Sequence, residues 1–499
     1  MTRLALLRAV LLISLAYIIT GCFDNDTPTP LNNNDTPTRI DSRPNIIFVF
    51  TDDQGYADLG VHNAVQDIKT PHLDRIANTG VRMTNGYVTA PQCTPSRAAL
   101  MTGRYQQRFG VDDNRYGPFP LTEPMLAERL SEVGYKTGMI GKWHLEITRN
   151  SNAWFQEVYA PGTTTHISEA SIPHSERVKY FPENRGFQKA FFGSMVNYRA
   201  NFDLEGNTFR DFRTIRDTRF RVDVVSDAAV TFIKQHHADP FFLYVAYLAP
   251  HVPLEATPEY LARFPGEMPE RRRYALAMLS AIDDGVGRII ETLQKYDIDQ
   301  HTLVFFISDN GAPLALTKDD VQPIDSGGPE WDGSLNDPWL GEKGMLSEEG
   351  IRVPFLMRWK GHLPEGLVYE EPVISIDATA TAAAAAGLST ADMDGLDLVP
   401  YLRHTQLIPE RALYWRFWNQ AAIRKGQWKY LMVGNEDEYL FDLSSSEHET
   451  VNRIVQHRDI ALSLRKNLAD WSQQLKRPGL PNHGVGMQER IWYDFHLNR

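Results

Sequence analysis

The stretch Asn45-Ile46-Ile47-Phe48-Val49-Phe50-Thr51-Asp52-Asp53-Gln54-Gly55 starts as an unbroken apolar run and ends in two acids and a glycine. A strand wet on one face alternates apolar with polar. An unbroken run of β-branched and aromatic residues reads instead as a strand buried on both faces, as in parallel sheets covered by helices. Three more segments repeat the design. Lys136–Ile140 runs into Gly141-Lys142-Trp143-His144, Phe241–Leu248 into Ala249-Pro250-His251, and Thr302–Ser308 into Asp309-Asn310-Gly311. Longer amphipathic stretches separate them, the order of an α/β fold. The expected architecture is a large, doubly wound, mostly parallel sheet flanked by helices. In such sheets ligands bind just beyond the carboxyl ends of the strands. One polar cluster after a strand is ordinarily a solvated strand end; four in the same structural position are expected to meet in one crevice.

Further along, Asp377-Ala378-Thr379 leading into Ala382–Ala386 and Gly387 reads as a close-packed helix with an acid as N-cap and a glycine at C′. The pattern then changes. Ala412–Phe417, Gln420–Arg424, Trp428–Val433 and Tyr439–Leu443 are short strand-like runs, and a helical run around Asp459–Gln474 follows. These read as a small C-terminal antiparallel sheet with a packed helix. The chain accordingly divides into a leader over 1–21, a tether over 22–43, an α/β body over 44–405, a subdomain over 406–477, and a tail over 478–499 whose Gly, Pro and aromatic content has no readable period.

Of 499 residues, 42% are hydrophobic and 23% charged, a globular balance that excludes a disordered or collagen-like chain. The formal charge of −12 argues against a protein that coats nucleic acid. Two cysteines exclude a disulfide scaffold and a Cys-rich metal site. Met1–Arg8 carries Arg3 and Arg8 and no acid, and an apolar run over 9–20 follows. That run has the length of a signal h-region and falls short of the ~20 residues that span a bilayer. It closes in Ile19-Thr20-Gly21-Cys22, which resembles the bacterial lipobox, whose Cys is lipidated and becomes the mature N-terminus. The expectation is an exported lipoprotein of the bacterial cell envelope, on the outer membrane facing periplasm or cell surface, held by the lipid on Cys22 alone. Residues 23–43 are rich in Asp, Asn, Thr and Pro, with Asp26-Thr27-Pro28-Thr29 repeated as Asp35-Thr36-Pro37-Thr38. Such a stretch cannot bury enough apolar surface to fold.

The chemistry centres on Cys93. Thr94 followed by Pro95 reads as an N-cap and a first-turn proline, which places Cys93 at a helix N-terminus, where backbone N–H groups favour an anion. Arg97 sits where its planar fork can brace that anion. A free thiol there is expected to be thiolate-like. Residue physics alone leaves two readings, a reactive cysteine in an anion pocket and a buried structural one.

Cys93-Thr94-Pro95-Ser96-Arg97, with Ala98-Ala99-Leu100 and Thr102-Gly103-Arg104 after it, resembles the signature of the type I, formylglycine-dependent sulfatases of the alkaline-phosphatase-like superfamily. The resemblance runs from about Pro44 to about Asn452. It takes in Asn45–Gly60, Thr70–Asp74, Gly141–His144, Ser308–Gly311, Gly341–Pro354 and Tyr439–Leu443. It implies that Cys93 is oxidised to formylglycine by a formylglycine-generating enzyme and that its hydrate is the nucleophile. It implies one Ca²⁺ held by Asp52, Asp53, Asp309 and Asn310 with the modified Cys93, a set of hard oxygen donors. Arg97 and Lys142 match residues that hold the hydrate; His144, His251 and Lys343 match those that hold the sulfate ester and move protons. The implied mechanism has the hydrate oxygen, deprotonated with help from Asp309, attack sulfur in line. His251 with Lys343 serves the leaving oxygen, and His144 takes the remaining hydroxyl proton so that sulfate is expelled.

A lipid-anchored, exported member looks most like a bacterial enzyme that desulfates a polysaccharide, an algal galactan or ulvan being the expected sort of glycan. The alternatives are an arylsulfatase of broad specificity and a phosphatase or phosphonate hydrolase of the same superfamily. A non-catalytic glycan-binding lipoprotein would have no reason to keep Cys93, Arg97, Lys142 and His144 together. Expected pocket walls are Asp112–Tyr116, Trp154–His174, Ser194–Asp203 and Asp325–Leu340, offering Trp331, Trp339, Arg115, Asn197, Arg199 and Asn336 for stacking sugars and reading anions. Asp58 and His72 lie beside motifs without a role, and Glu349 is read as a change in loop backbone alone.

Overall fold

The computed structural model describes residues 42–164, 168–322 and 330–497. The leader, Cys22 and nearly all of the tether lie outside the described residues, as do 165–167 and 323–329 of the expected pocket walls. Four strands form the centre of the sheet: β1 (Asn45–Asp52), β2 (Lys136–Gly141), β3 (Phe241–Pro250) and β4 (Thr302–Ser308). They are neighbours in the order β4-β1-β3-β2 and all parallel, with Ile46 beside both Phe242 and Leu303. Beyond β4 come Phe355–Arg358 and Val81–Met83, running antiparallel to their inner neighbours, then Leu367–Tyr369 parallel to Val81–Met83. Beyond β2 lies Lys189–Ser194, parallel, and an antiparallel pair, Asn197–Phe202 and Thr208–Arg216. The result is a ten-stranded mixed sheet.

Both faces of β1 are buried because its side chains alternate between two cores. Ile46, Phe48 and Phe50 enter the core that holds α1 (Cys93–Thr102) and α4 (Ser375–Ala385); Ile47 and Val49 enter the one that holds α2 (Arg221–His236) and α3 (Glu270–Lys295). Phe48 meets the rings of Phe242 and Phe305 edge-on at 5.4 and 5.1 Å. Its truncation to Ala would cost about 3–5 kcal/mol.

Two local readings need correction. Helix α4 starts at Ser375, so Asp377 stands inside its first turn rather than at the cap. Its carboxylate accepts from the Ile374 and Leu396 N–H groups, both at 2.9 Å, and pairs with Arg411. The residues read as a tail contain α6 (Met487–His496).

The C-terminal sheet is antiparallel, with β5 (Ala412–Phe417), β6 (Gln420–Lys425), β7 (Trp428–Val433) and β8 (Asp437–Asp442) in sequence order and α5 (Arg458–Ser472) packed on it. Trp415, Leu431 and Leu468 join the same core as Phe48. This sheet holds the turn that carries Lys343. The Gln420 side chain accepts from Leu346 N–H and donates to the Gly344 carbonyl, both at 2.9 Å, and Tyr493 of α6 donates to Gln420 Oε1 at 2.5 Å. Behind the turn, Lys429 Nζ lies 2.9 Å from both Glu348 Oε1 and Glu449 Oε1, while Glu348 Oε2 accepts from Tyr87 (2.6 Å) and Arg352 (3.1 Å).

Candidate active site

The four strand ends meet. Asp52 closes β1, and Asp53 after it takes φ 64°, left-handed backbone that a non-glycine residue holds only when its surroundings impose it. Gly141 closes β2 at φ 98°; a Cβ there would lie 1.9 Å from the Ala246 carbonyl of β3, so only glycine lets the chain turn off the sheet toward Lys142. His144, two residues on, is again left-handed at φ 57°. His251 follows β3, and Asp309 and Asn310 follow β4.

Asp52, Asp53, Cys93 and Asp309 each present a ligand atom, all within 4.8 Å of one another, and all four residues are buried. Cations surround them. Lys142 Nζ lies 2.6 Å from Asp52 Oδ2, and Lys343 Nζ lies 2.6 and 2.7 Å from the two Asp53 oxygens and 3.5 Å from Cys93 Sγ. Arg97, fully buried, donates through Nε (3.1 Å) and Nη2 (2.7 Å) to Asp309 Oδ2 and through Nη1 to Tyr244 Oη at 3.2 Å. The fork is therefore pinned by Asp309 rather than loose in a pocket. His251 Nδ1 donates to the Val252 carbonyl at 2.6 Å, which leaves Nε2 on the site side, 3.6 Å from Asp53 Oδ2.

Burial and charge set the protonation states. Burial pushes the Asp52 carboxyl up, but Lys142, His251, Arg97 and Lys343 outweigh it and hold it well below the usual range. Burial and the Asp52 carboxylate push Asp309 up to about 7. Burial, then Lys142 and Arg97, keep His144 neutral, and burial lowers His251. The thiolate expectation for Cys93 does not hold. Burial and the Asp309 carboxylate raise its thiol well above the ordinary value, and Sγ donates to Asp52 Oδ1 at 3.4 Å. The helix begins earlier than expected as well: Gln92 is the N-cap and Cys93 the first helical residue, because Thr94 Oγ1 donates to the His144 carbonyl (3.2 Å) instead of capping.

The donor set fits a hard divalent cation: three carboxylates converge, and beside them Asn310 Oδ1 is buried with no hydrogen-bond partner among the described residues. The other grouping of this kind among the described residues, His72 with Asp283 and Asp284, has its central acid engaged in capping the His72 and Leu73 N–H groups at 3.1 and 2.8 Å. Asp58 ties down a loop, accepting from Ser334 Oγ (2.6 Å) and the Leu335 N–H (3.1 Å).

A cleft of about 410 Å³ opens beside Lys142 and His144, and Asn197 and Arg199 line it as expected. Trp331 and Asn336 do not. Both are buried, Trp331 donating to the Ser334 carbonyl (2.7 Å) and Asn336 bridging both backbone groups of Ala312, so neither can reach a ligand. Trp339 lies under the Arg352 guanidinium, 3.8 Å from its ring centre, and Trp154 packs with Ile147 and Ile172. Arg115 turns to Asp113 and lines a separate hollow with Trp418. Glu349 is more than a backbone change: its side chain is buried, its carboxyl is pushed up to about 10, and its carbonyl stands 1.6 Å from where a Gly311 Cβ would be.

Sequence reasoning missed three partners of the site. Tyr244 hides inside an apolar strand. Asn114 Oδ1 accepts from the Thr94 N–H at 3.0 Å, a role that the sequence of Asp112–Tyr116, which reads only as pocket wall, does not signal. Asp332 is buried with Oδ2 unpartnered among the described residues, its carboxyl held well above its usual value by burial and Asp53.

A family model described as Sulfatase matches residues 44–388, and one described as N-sulphoglucosamine sulphohydrolase, C-terminal, matches 338–474. The chain is similar to the mouse (Mus musculus) N-acetylgalactosamine-6-sulfatase, 32% identical over 419 residues covering 77% of this chain and 71% of that one. It is 30% identical to mouse arylsulfatase J over 426 residues, 79% of this chain and 65% of that one. Among solved structures it resembles Ps i-CgsB in complex with k-i-k-neocarrahexaose, with TM-score 0.71 and 28% identity, covering 91% of this chain and 97% of that one.

Proposed function

The chain belongs to the sulfatase family, hydrolases of sulfuric esters, and from that premise we propose that it removes sulfate from a sulfated polysaccharide or oligosaccharide, using a formylglycine made from Cys93 and one Ca²⁺. The observation that carries this reading is the buried meeting of Cys93 with three carboxylates and three cations, one of which, Lys142, lines a cleft. The relatives named for N-acetylgalactosamine 6-sulfate and the neighbour solved with a neocarrahexaose support a sugar substrate and, within it, a galactan.

Asp52, Asp53, Asp309 and Asn310 would hold the Ca²⁺, whose chemistry is to neutralise charge on sulfate oxygens. A hydrated aldehyde at position 93 supplies an oxygen nucleophile that can later expel sulfate by reforming its carbonyl. The chain's own groups do the rest. Lys142 and Lys343, both beside Cys93, set positive charge where sulfuryl charge develops. Asp309 stands next to residue 93 as proton acceptor. His251, its Nδ1–H fixed on Val252, offers Nε2 to the leaving oxygen; an incoming sulfate anion favours the protonated imidazolium that donates there. His144, held neutral with Nδ1 unpartnered among the described residues, is ready to accept a proton.

A panel of sulfated galactan and ulvan oligosaccharides with free sulfate measured tests the activity; release from at least one is expected. Mass spectrometry of the tryptic peptide Met83–Arg97 with a carbonyl trap tests the nucleophile. Active enzyme carrying only unmodified Cys93 would overturn the formylglycine mechanism. The same reading includes maturation by a formylglycine-generating enzyme and export to the bacterial envelope, anchored through a lipid on Cys22. Cys22→Ala should move the protein to the soluble fraction, and its persistence on membranes would mean another anchor.

A further inference from the structure

After Gly141 burial alternates residue by residue. Trp143, Leu145 and Ile147 are buried, whereas Lys142, His144, Glu146 and Thr148 are only partly so, and these four line the cleft beside the reacting centre. The roles assigned to Lys142 and His144 leave Glu146 unexplained. Its Oε2 is shut off from water and has no hydrogen-bond partner among the described residues. Burial raises its carboxyl above the ordinary range, with its own and the Leu145 backbone N–H groups partly opposing the shift. Arg177 lines the same cleft, and its Nε is likewise buried and without a hydrogen-bond partner, although Nη2 lies 3.6 Å from Glu169. The cleft therefore holds a lone acceptor and a lone donor.

Leaving either unmatched is costly, so the pair selects a ligand that offers one hydrogen and one lone pair. Neighbouring hydroxyls on a sugar ring do so. Glu146 is two residues from His144, so their Cα atoms are at most about 7 Å apart, and both side chains line the one cleft, within reach of the sugar that bears the reacting ester. We propose that Glu146 and Arg177 read adjacent hydroxyls on the sulfated sugar itself, Glu146 accepting from one and Arg177 donating to the other. They set specificity and take no part in the chemistry. This rests on the sulfatase reading above.

The test uses the full chain with residue 93 matured and the best substrate from the oligosaccharide panel. Glu146→Gln and Arg177→Met should each raise KM on the order of tenfold to a hundredfold, with kcat held within about threefold. The inhibition constant for inorganic sulfate, which carries no sugar hydroxyl, should stay at the wild-type value. An unchanged KM, or an equal loss of affinity for free sulfate, would overturn the assignment. Should the variants melt early, wild-type enzyme answers with deoxy substrates: removing a hydroxyl next to the sulfated carbon must raise KM comparably, and indifference to every such deletion overturns the proposal. Absence of sulfate release by carbonyl-bearing wild type would instead bring down the sulfatase reading, a different result from release that ignores Glu146.

Discussion

Two buried ion networks in this molecule use the same residue types to opposite ends. Around Glu348 both carboxylate oxygens are engaged, by Lys429 on one and by Tyr87 and Arg352 on the other, and the Glu348 N–H donates to Glu449 at 2.7 Å. Burial pushes the Glu348 carboxyl up, but Lys429, Arg352 and Arg424 overcome it and bring it down to about 2. At the strand ends, three carboxylates face three cations and yet Asn310 Oδ1, His144 Nδ1 and Asp332 Oδ2 have no hydrogen-bond partner among the described residues. The first network is closed and fixes the turn that carries Lys343. The second is open, and its unmatched atoms mark where a ligand completes it. Burial of charge alone does not distinguish a structural brace from a reaction centre; the convergence of carboxylates, cations and unmatched atoms at the strand ends does.

The widest separation between the two networks is in turnover. Cys93→Ala should lower sulfate release by at least about 10⁴-fold, the scale of removing a nucleophile, with a melting temperature near that of wild type. A collapsed melt would mean that the open site is itself a structural brace. Conversely, Lys429→Met leaves Glu348 and Glu449 buried without their shared cation and should cost about 3–5 kcal/mol in urea unfolding. A change below about 1 kcal/mol would erase the distinction.

Ca²⁺ sharpens it further. At a concentration near a hundredfold its Kd, the ion should stabilise the protein by about 2.7 kcal/mol. The rise should be lost in Asp53→Asn and kept in Lys429→Met; a melt indifferent to Ca²⁺ and to chelator would remove the metal assignment. The smallest effect expected is with pH. Glu348 is depressed from 4.5 to about 2, so its contribution is present above pH 4.5 and is lost as pH falls toward 2. Melting curves from pH 5 down to pH 3 should show that loss, and Glu348→Gln should flatten the slope.

How much of this was legible in sequence follows from what burial does to a pattern. Strands β1 to β4 could be read because strands covered on both faces are apolar throughout, and their polar ends then fall into register. The four C-terminal strands were legible for the opposite reason, short runs separated by turns. Helix α6 was not: its hold on the body comes from Tyr493 reaching Gln420, a contact that no local period encodes. The start of α1 was misplaced because Thr94 bonds across to the His144 carbonyl, and only the fold brings that group near. Trp331 and Asn336 looked like pocket residues by type, but the loop that holds Asp58 folds them inward.

Helix α1 has one more consequence, and it concerns timing. Every residue of it is buried, Cys93 being 2% exposed. A modifying enzyme has no path to that side chain once β1, β4 and the Lys343 turn have closed around it. On the proposed formylglycine reading, oxidation of Cys93 would have to happen on the unfolded chain, so that maturation would run as a race between the modifying enzyme and folding. Slowing the folding of the sheet would raise the yield of active protein, whereas adding more modifying enzyme to chains already folded would change nothing.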